Sequence, residues 1–222
     1  MTGRPLTPFE HILLGLICTA PSSGYDLKRL FASTPMGIYQ PSSGTLYPAL
    51  HRLDQKGLVK AQAPPGPGDQ TARHRRVYEP TQAGRASHAG WLRTPVQPAT
   101  ISHDLGLHLM RFAMMEHLLP QEEVLAFLHS LRDALTACIA SLEQYIAATS
   151  FQDHHPLLAL DHGIAVHRAS CDWAVRAIAA LSNAPSPSEK SRSTSFLDRA
   201  AEAEAALADV ISEPTASTRR SR

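Results

Sequence analysis

Across residues 1–93 the apolar positions change period once, from helical to alternating, and no other feature restricts the fold as much. Thr7-Pro8-Phe9-Glu10 reads as a capping box with proline at the first helical position. Ile12, Leu13, Leu16 and Ile17 follow on one face. Ala20-Pro21-Ser22-Ser23-Gly24 breaks that helix, and Tyr25 to Phe31 predicts a second, short one with Leu27, Leu30 and Phe31 inward. Met36 to Pro41 connects to a third helix. Its apolar residues Leu46, Ala49, Leu50 and Leu53 recur at helical spacing until Gly57 stops it. Two helices, a turn and a third helix make a helix-turn-helix plan. Beyond Gly57, Leu58-Val59-Lys60-Ala61-Gln62 alternates like a strand. The segment from Ala63 through Arg73, with three prolines and two glycines, predicts a loop. Arg75-Arg76-Val77-Tyr78-Glu79 reads as the returning strand, and Thr81 caps a helix that runs to Leu92. A helix-turn-helix followed by a basic hairpin is the winged form of the motif.

The third helix has two unlike faces. Leu46, Leu50 and Leu53 fall together toward the core, while Gly44, Pro48 and Gln55 lie opposite. Tyr47 and His51 take one flank, Thr45 and Arg52 the other. Ser42 or Ser43 is the N-cap. The exposed first turn therefore offers hydroxyls, free backbone N–H groups and a glycine that permits close approach. Such an end suits a major groove: N–H groups and hydroxyls meet phosphates, and first-turn side chains reach base edges. Pro48 costs little, because most of the bonds it would disrupt belong to the first turn. A merely capped surface helix is the plainer reading, and the basic hairpin downstream counts against it.

Four stretches then carry a family resemblance: Gly24-Tyr25-Asp26-Leu27, Pro41-Ser42-Ser43-Gly44-Thr45-Leu46-Tyr47-Pro48-Ala49-Leu50, Arg52-Leu53-Asp54-Gln55-Lys56-Gly57-Leu58 and Tyr78-Glu79-Pro80-Thr81-Gln82-Ala83-Gly84-Arg85. In order and spacing, across residues 9–92, the chain resembles the PadR family of bacterial transcriptional regulators. The resemblance implies a dimeric, sequence-specific binder of double-stranded DNA, usually a repressor. It matches Ser42, Ser43, Gly44, Thr45 and Tyr47 to the DNA-reading helix. It makes Tyr25 and Lys28 phosphate contacts, and it places Arg73, His74, Arg75 and Arg76 on the wing, against phosphates or the minor groove. The second half resembles the longer branch of that family, whose helical C-terminal domain is similar to that of virulence-gene activators. Leu118-Leu119-Pro120-Gln121-Glu122-Glu123 and the helical pattern carry this part. The segment from Ser191 onward has no counterpart there.

Thr94-Pro95-Val96-Gln97-Pro98 reads as a hinge. Beyond it, Ile101 to Leu118 predicts one helix. Val124, Leu128, Leu131, Leu135, Cys138, Leu142 and Tyr145 recur at near-heptad spacing on the next, and such a seam wants a helical partner. Leu157, Leu160, Ile164, Cys171, Val175 and Ile178 make a further seam. A second copy of the chain is the expected partner, with Val124, Leu128, Leu131, Leu135, Leu142, Ile164, Val175 and Ile178 at the dimer contact. The expected fold is thus mainly α: a winged helix-turn-helix with a two-stranded wing at 1–93 and an all-helical dimerisation or effector domain at 94–182. A linker at 183–194, an accessory helix at 195–211 and a disordered tail at 212–222 follow.

Charge separates the same halves. Residues 1–93 hold 11 Lys and Arg against 5 Asp and Glu, whereas residues 94–190 hold 5 against 10. A basic first part suits a polyanion, and an acidic second part has another role. Of the 12 histidines, His167 shares a helical face with Cys171 and follows His154, His155 and His162. The spacings that mark a metal site are absent, so no metal and no cofactor are expected. Trp173, Tyr145, Phe112, Phe127, Met110, Met114 and Met115 either line a pocket for a small apolar or aromatic effector or form ordinary core. Trp91 is expected to pack at the hinge. No nucleophile elbow, phosphate loop, zinc-protease helix or dinucleotide fingerprint occurs, which argues against an enzyme. Cys18, Cys138 and Cys171 lie apart among apolar residues and suit a reducing cytoplasm. No apolar run approaches the ~20 residues of a membrane span, and Glu10 and His11 interrupt any leader-like pattern. The alternative to a DNA-binding regulator is a helical interaction module, or an activator, whose winged helix serves as a partner scaffold.

Overall fold

The structure is a computed structural model and describes residues 4–33, 41–62, 76–116, 118–149, 151 and 153–183. The expected connector from Met36, most of the hairpin loop with Arg73, His74 and Arg75, and the expected segments beyond Asn183 lie outside the described residues. The chain forms two compact units that divide between Gly84 and Arg85.

The first unit contains α1 (Pro8–Thr19), β1 (Ser22–Ser23), α2 (Gly24–Ser33), α3 (Ser43–Gln55), β2 (Val59–Ala61) and β3 (Val77–Pro80). It ends within the first turn of α4 (Gln82–Leu92). The capping box is formed: Glu10 N donates to Thr7 Oγ1 at 3.2 Å, and Thr7 N donates to Glu10 Oε2 at 2.8 Å. Ile12, Leu13, Leu14 and Ile17 from α1, Leu27 from α2, and Leu46, Leu50 and Leu53 from α3 are fully buried. Each such burial contributes roughly 1.5–3 kcal/mol, which is why the spacing of these residues dictates how the three helices meet. Gly57, at φ +66°, ends α3. Its N–H donates to the Asp54 carbonyl and that of Leu58 to the Leu53 carbonyl, so the last turn closes in a left-handed cap.

The hairpin pairs antiparallel, Lys60 opposite Glu79 and Ala61 opposite Tyr78. The expected two-stranded wing gains a third strand, because Ser22 and Ser23 pair with Tyr78 and Val77 on the free edge of β3. Two serines after a proline carry no strand periodicity. Only the proximity of an unpaired edge makes them one. Thr81 fastens the end of the sheet: its hydroxyl donates to the Gly57 carbonyl at 2.7 Å and its N–H to that of Leu58 at 3.0 Å.

The second unit contains the rest of α4 together with α5 (Ile101–Met115), α6 (Gln121–Ala148) and α7 (His154–Asn183). α6 and α7 run antiparallel. Gln121 bonds the Leu181 carbonyl, Thr136 meets Cys171, and Glu143 pairs with Arg168, so partner numbers fall as α6 advances. Leu92, Val96, Ile101, Met115, Leu119, Val124, Phe127, Leu128, Leu131, Ala134 and Leu135 form one core. By length and hydropathy α6 could cross a membrane. Leu128, Leu131 and Leu135 instead face this core, and the outer faces of α6 carry the Arg132–Asp133 and Glu143–Arg168 pairs.

Within one chain the residues expected at a dimer contact differ in exposure. Leu128, Leu131 and Leu135 are 0% exposed within one chain, and Val124 and Ile164 are buried with them. Leu142 and Ile178 are half-buried, and only Val175, at 50%, stays open. The stripe does find a helical partner, but α5 and α7 of the same chain supply it. Periodicity states that a face needs covering, not which molecule covers it.

Candidate nucleic-acid interface

α3 presents the surface that its spacing predicts. Leu46, Ala49, Leu50 and Leu53 are 0% exposed, and Ser42, Ser43, Gly44, Thr45, Tyr47, Pro48 and His51 are exposed. Ser42 is the N-cap, yet its side chain makes no cap bond. Its Oγ lies 3.1 Å from Thr45 Oγ1 instead, and Thr45 N donates to the Ser42 carbonyl at 2.9 Å, so the Ser43 and Gly44 N–H groups receive no bond from the cap side chain. A side chain at Gly44 would meet nothing closer than Ser42 Oγ, at 3.6 Å, an ordinary contact.

α2 flanks this end. Lys28 Nζ donates to Ser43 Oγ at 3.1 Å, which places its charge beside the first turn of α3. Tyr25 is 54% exposed and Tyr47 45%. The start of α2 is held by a second capping arrangement: Ser23 N and Oγ both donate to Asp26 Oδ2, and Asp26 N donates to Ser23 Oγ. The structure therefore brings Lys28, Ser42, Ser43, Gly44 and Thr45 to one end of α3. Arg76, also exposed, precedes β3. Arg73, His74 and Arg75 lie outside the described residues.

One functional tie escapes the sequence. Arg52, on the flank of α3, donates from Nε to Glu10 Oε1 at 2.5 Å, and Glu10 is 3% exposed. Burial works to raise the Glu10 pKa, but the Thr7 N–H and the Arg52 guanidinium outweigh it and hold the carboxyl below its usual value. The same carboxylate thus caps α1 and anchors α3. The two residues are 42 apart in sequence, with no local signal to join them.

Arg111 is the second such residue. It is 3% exposed, and its guanidinium donates to the carbonyls of Trp91, Leu92 and Thr94 at the end of α4. Its charge stacks on Trp91 and Phe127, with Cζ 5.3 and 4.9 Å from the ring centres. Burial lowers its pKa to about 10, so it stays a cation at neutral pH. His108, 3.1 Å from Arg111, is pushed down to about 4 by burial and by that cation. It is therefore neutral, and its Nδ1 accepts from Arg111. A signal did exist: Arg111 is the sole Lys or Arg between Ile101 and Pro120.

The aromatic and methionine set is mostly core. Phe127 and Met115 are buried, and Phe112 and Met114 are packed against the same cluster with Trp173, whose ring meets Phe112 edge-on. Tyr145 is exposed and meets Phe151. Among the described residues no three His, Cys, Asp or Glu side chains come together as a metal site.

Comparison with known proteins matches two families along the chain. The transcriptional regulator PadR-like family matches residues 13–89, and the virulence activator alpha C-terminal family matches residues 109–182. Transcriptional regulator Rv3488 of Mycobacterium tuberculosis is 49% identical over 49 residues, 22% of this chain and 42% of that protein. The match thus spans less than half of that relative's length. Two solved structures are similar at a distance. Bacillus subtilis PadR in complex with operator DNA has 19% identity and a TM-score of 0.38, covering 80% of this chain and 99% of that one. The PadR-like regulator BC1756 of Bacillus cereus has 23% identity and a TM-score of 0.33, covering 78% and 97%. The chain thus carries a transcriptional regulator PadR-like family domain at its N-terminal end, followed by a virulence activator alpha C-terminal domain.

Proposed function

We propose that this chain is a cytoplasmic repressor that binds a two-fold symmetric operator as a homodimer. Each copy would insert the N-terminal turn of α3 into a major groove. The observation that carries this reading is the two-faced α3: one side wholly buried, the other a turn of hydroxyls and glycine beside Lys28. In that pose Ser42, Ser43, Thr45 and Tyr47 approach base edges and the nearest phosphates. Lys28 and Tyr25 meet the backbone on one side, and Arg76 meets it from the wing. Two such helices fit half-sites about one DNA turn apart or a multiple of it. With the leucine stripe of α6 closed inside the chain, the dimer contact falls to exposed apolar residues of the second unit: Tyr145, Leu158, Val166 and Val175. A small apolar or aromatic effector belongs to the same proposal. It would act by repacking the Phe112–Trp173 edge, since Phe127 and Met115 are closed core.

Selection of bound duplexes from a random library with the full chain tests the proposal. Enrichment of a palindrome, with affinity falling steeply as salt rises, is the expected result. Sedimentation should then show two chains per operator. Absence of any enriched sequence would favour the interaction-module alternative, and a monomer that binds the palindrome at full affinity would remove the dimer. A reporter gene under the selected operator separates repression from activation.

A further inference from the structure

Gly24, at the start of α2, is needed by nothing in its own backbone. Among the described residues only Gly57 has a positive φ, so any residue fits the Gly24 backbone. Yet a Cβ there would lie 2.6 Å from Cε1 of Tyr47 and 3.3 Å from its Cδ1 and Cζ. The ring of Tyr47 thus lies where a side chain at position 24 would begin.

We propose that Gly24 is a positioning residue for DNA recognition: its missing side chain seats the Tyr47 ring and aims it at the operator. The inference rests on the reading of α3 as the DNA-reading helix. Its physical content lies in which of the two groups can yield. Gly24 is buried and held on both sides. Before it, Ser22 and Ser23 pair with Tyr78 and Val77 in the sheet; after it, Asp26 is locked to Ser23 by the capping bonds. Tyr47 is 45% exposed, and its ring is the far end of a side chain with two rotatable bonds. A methyl group at position 24 therefore leaves the backbone in place and swings the ring. The fold survives and the aim of Tyr47 is lost. Ordinary sterics would place such a ring on either side of the gap. The open seat at Gly24 selects one rotamer before DNA arrives, which removes an ordering cost from binding.

The test is a double-mutant cycle on the full chain, with the operator selected by the unaltered protein, at fixed salt. Gly24→Ala is expected to weaken operator binding roughly 5- to 150-fold, the loss of one base-edge contact. The melting temperature and the binding of a random duplex should be unchanged. In a Tyr47→Ala background, the further change Gly24→Ala should alter affinity by less than about twofold, because there is no ring left to displace. Three results overturn the inference while leaving the DNA-reading role of α3 intact. One is a Gly24→Ala variant that binds normally when Tyr47→Ala binds weakly. Another is additive losses in the double variant. The third is a Gly24→Ala chain that unfolds, which would make the glycine a packing requirement. If Tyr47→Ala itself binds the operator at full affinity, the assignment of Tyr47 to the reading face fails, and the inference fails with it.

Discussion

Replacing Arg111 by methionine tests the most buried charge in the second unit. Methionine is unbranched and fills much of the same space, so the change removes hydrogen bonds more than volume. The guanidinium serves the carbonyls of Trp91, Leu92 and Thr94 and the Nδ1 of His108. Thr94 is exposed and Trp91 partly so, and water can replace those two bonds. Leu92 is 0% exposed and His108 5%, so their acceptors stay dry and unpaired. Each such loss costs about 1–3 kcal/mol. Release from burying a cation without a carboxylate offsets part of that. The net expectation is a destabilisation of about 2–4 kcal/mol. Both tryptophans of the chain, Trp91 and Trp173, lie in the second unit, so their fluorescence in a urea titration reports its unfolding selectively. With the cation gone, the pKa of His108 rises toward its ordinary value, and the fall in stability toward acid becomes shallower. An unchanged or higher urea midpoint would show that Arg111 contributes no net stability and would refute the reasoning.

In the unaltered chain, the second unit should lose stability as pH falls from 6.5 toward about 4, because unfolded His108 takes up a proton that the folded form refuses. The ceiling is ~3 kcal/mol, and a flat urea midpoint across that window would contradict it. Gly84→Ala should destabilise the first unit by about 3 kcal/mol or more, as overpacking against backbone does. The added Cβ would lie 1.9 Å from the Leu58 carbonyl oxygen, and a normal melting curve would show that the contact relaxes freely. Arg76→Ala should reduce the slope of log affinity against log salt by about 0.9, alike for operator and random duplex. A change in base preference at constant slope would instead make Arg76 a base reader.

The local order of this protein is written in its sequence. The helical spacing of Leu46, Ala49, Leu50 and Leu53, the capping box at Thr7 and Glu10, and the alternation of Val59 and Lys60 all act within a few residues, where helix and strand geometry leave little choice. The two-faced α3, and with it most of the candidate DNA-reading surface, was therefore legible at once. Contacts made at long range were not. Glu10 and Arg52 meet only because α1 crosses α3, and Ser22 and Ser23 become a strand only because β3 offers an edge. Arg111 is the sole Lys or Arg of α5, but nothing local names the end of α4 as its partner. The Leu128, Leu131 and Leu135 stripe announces that it must be buried, and a second copy or α5 and α7 would satisfy it equally. Hydrophobic burial is non-directional, so a stripe's period reveals its need for cover. Only the folded chain, with its antiparallel α6 and α7, decides which surface provides it.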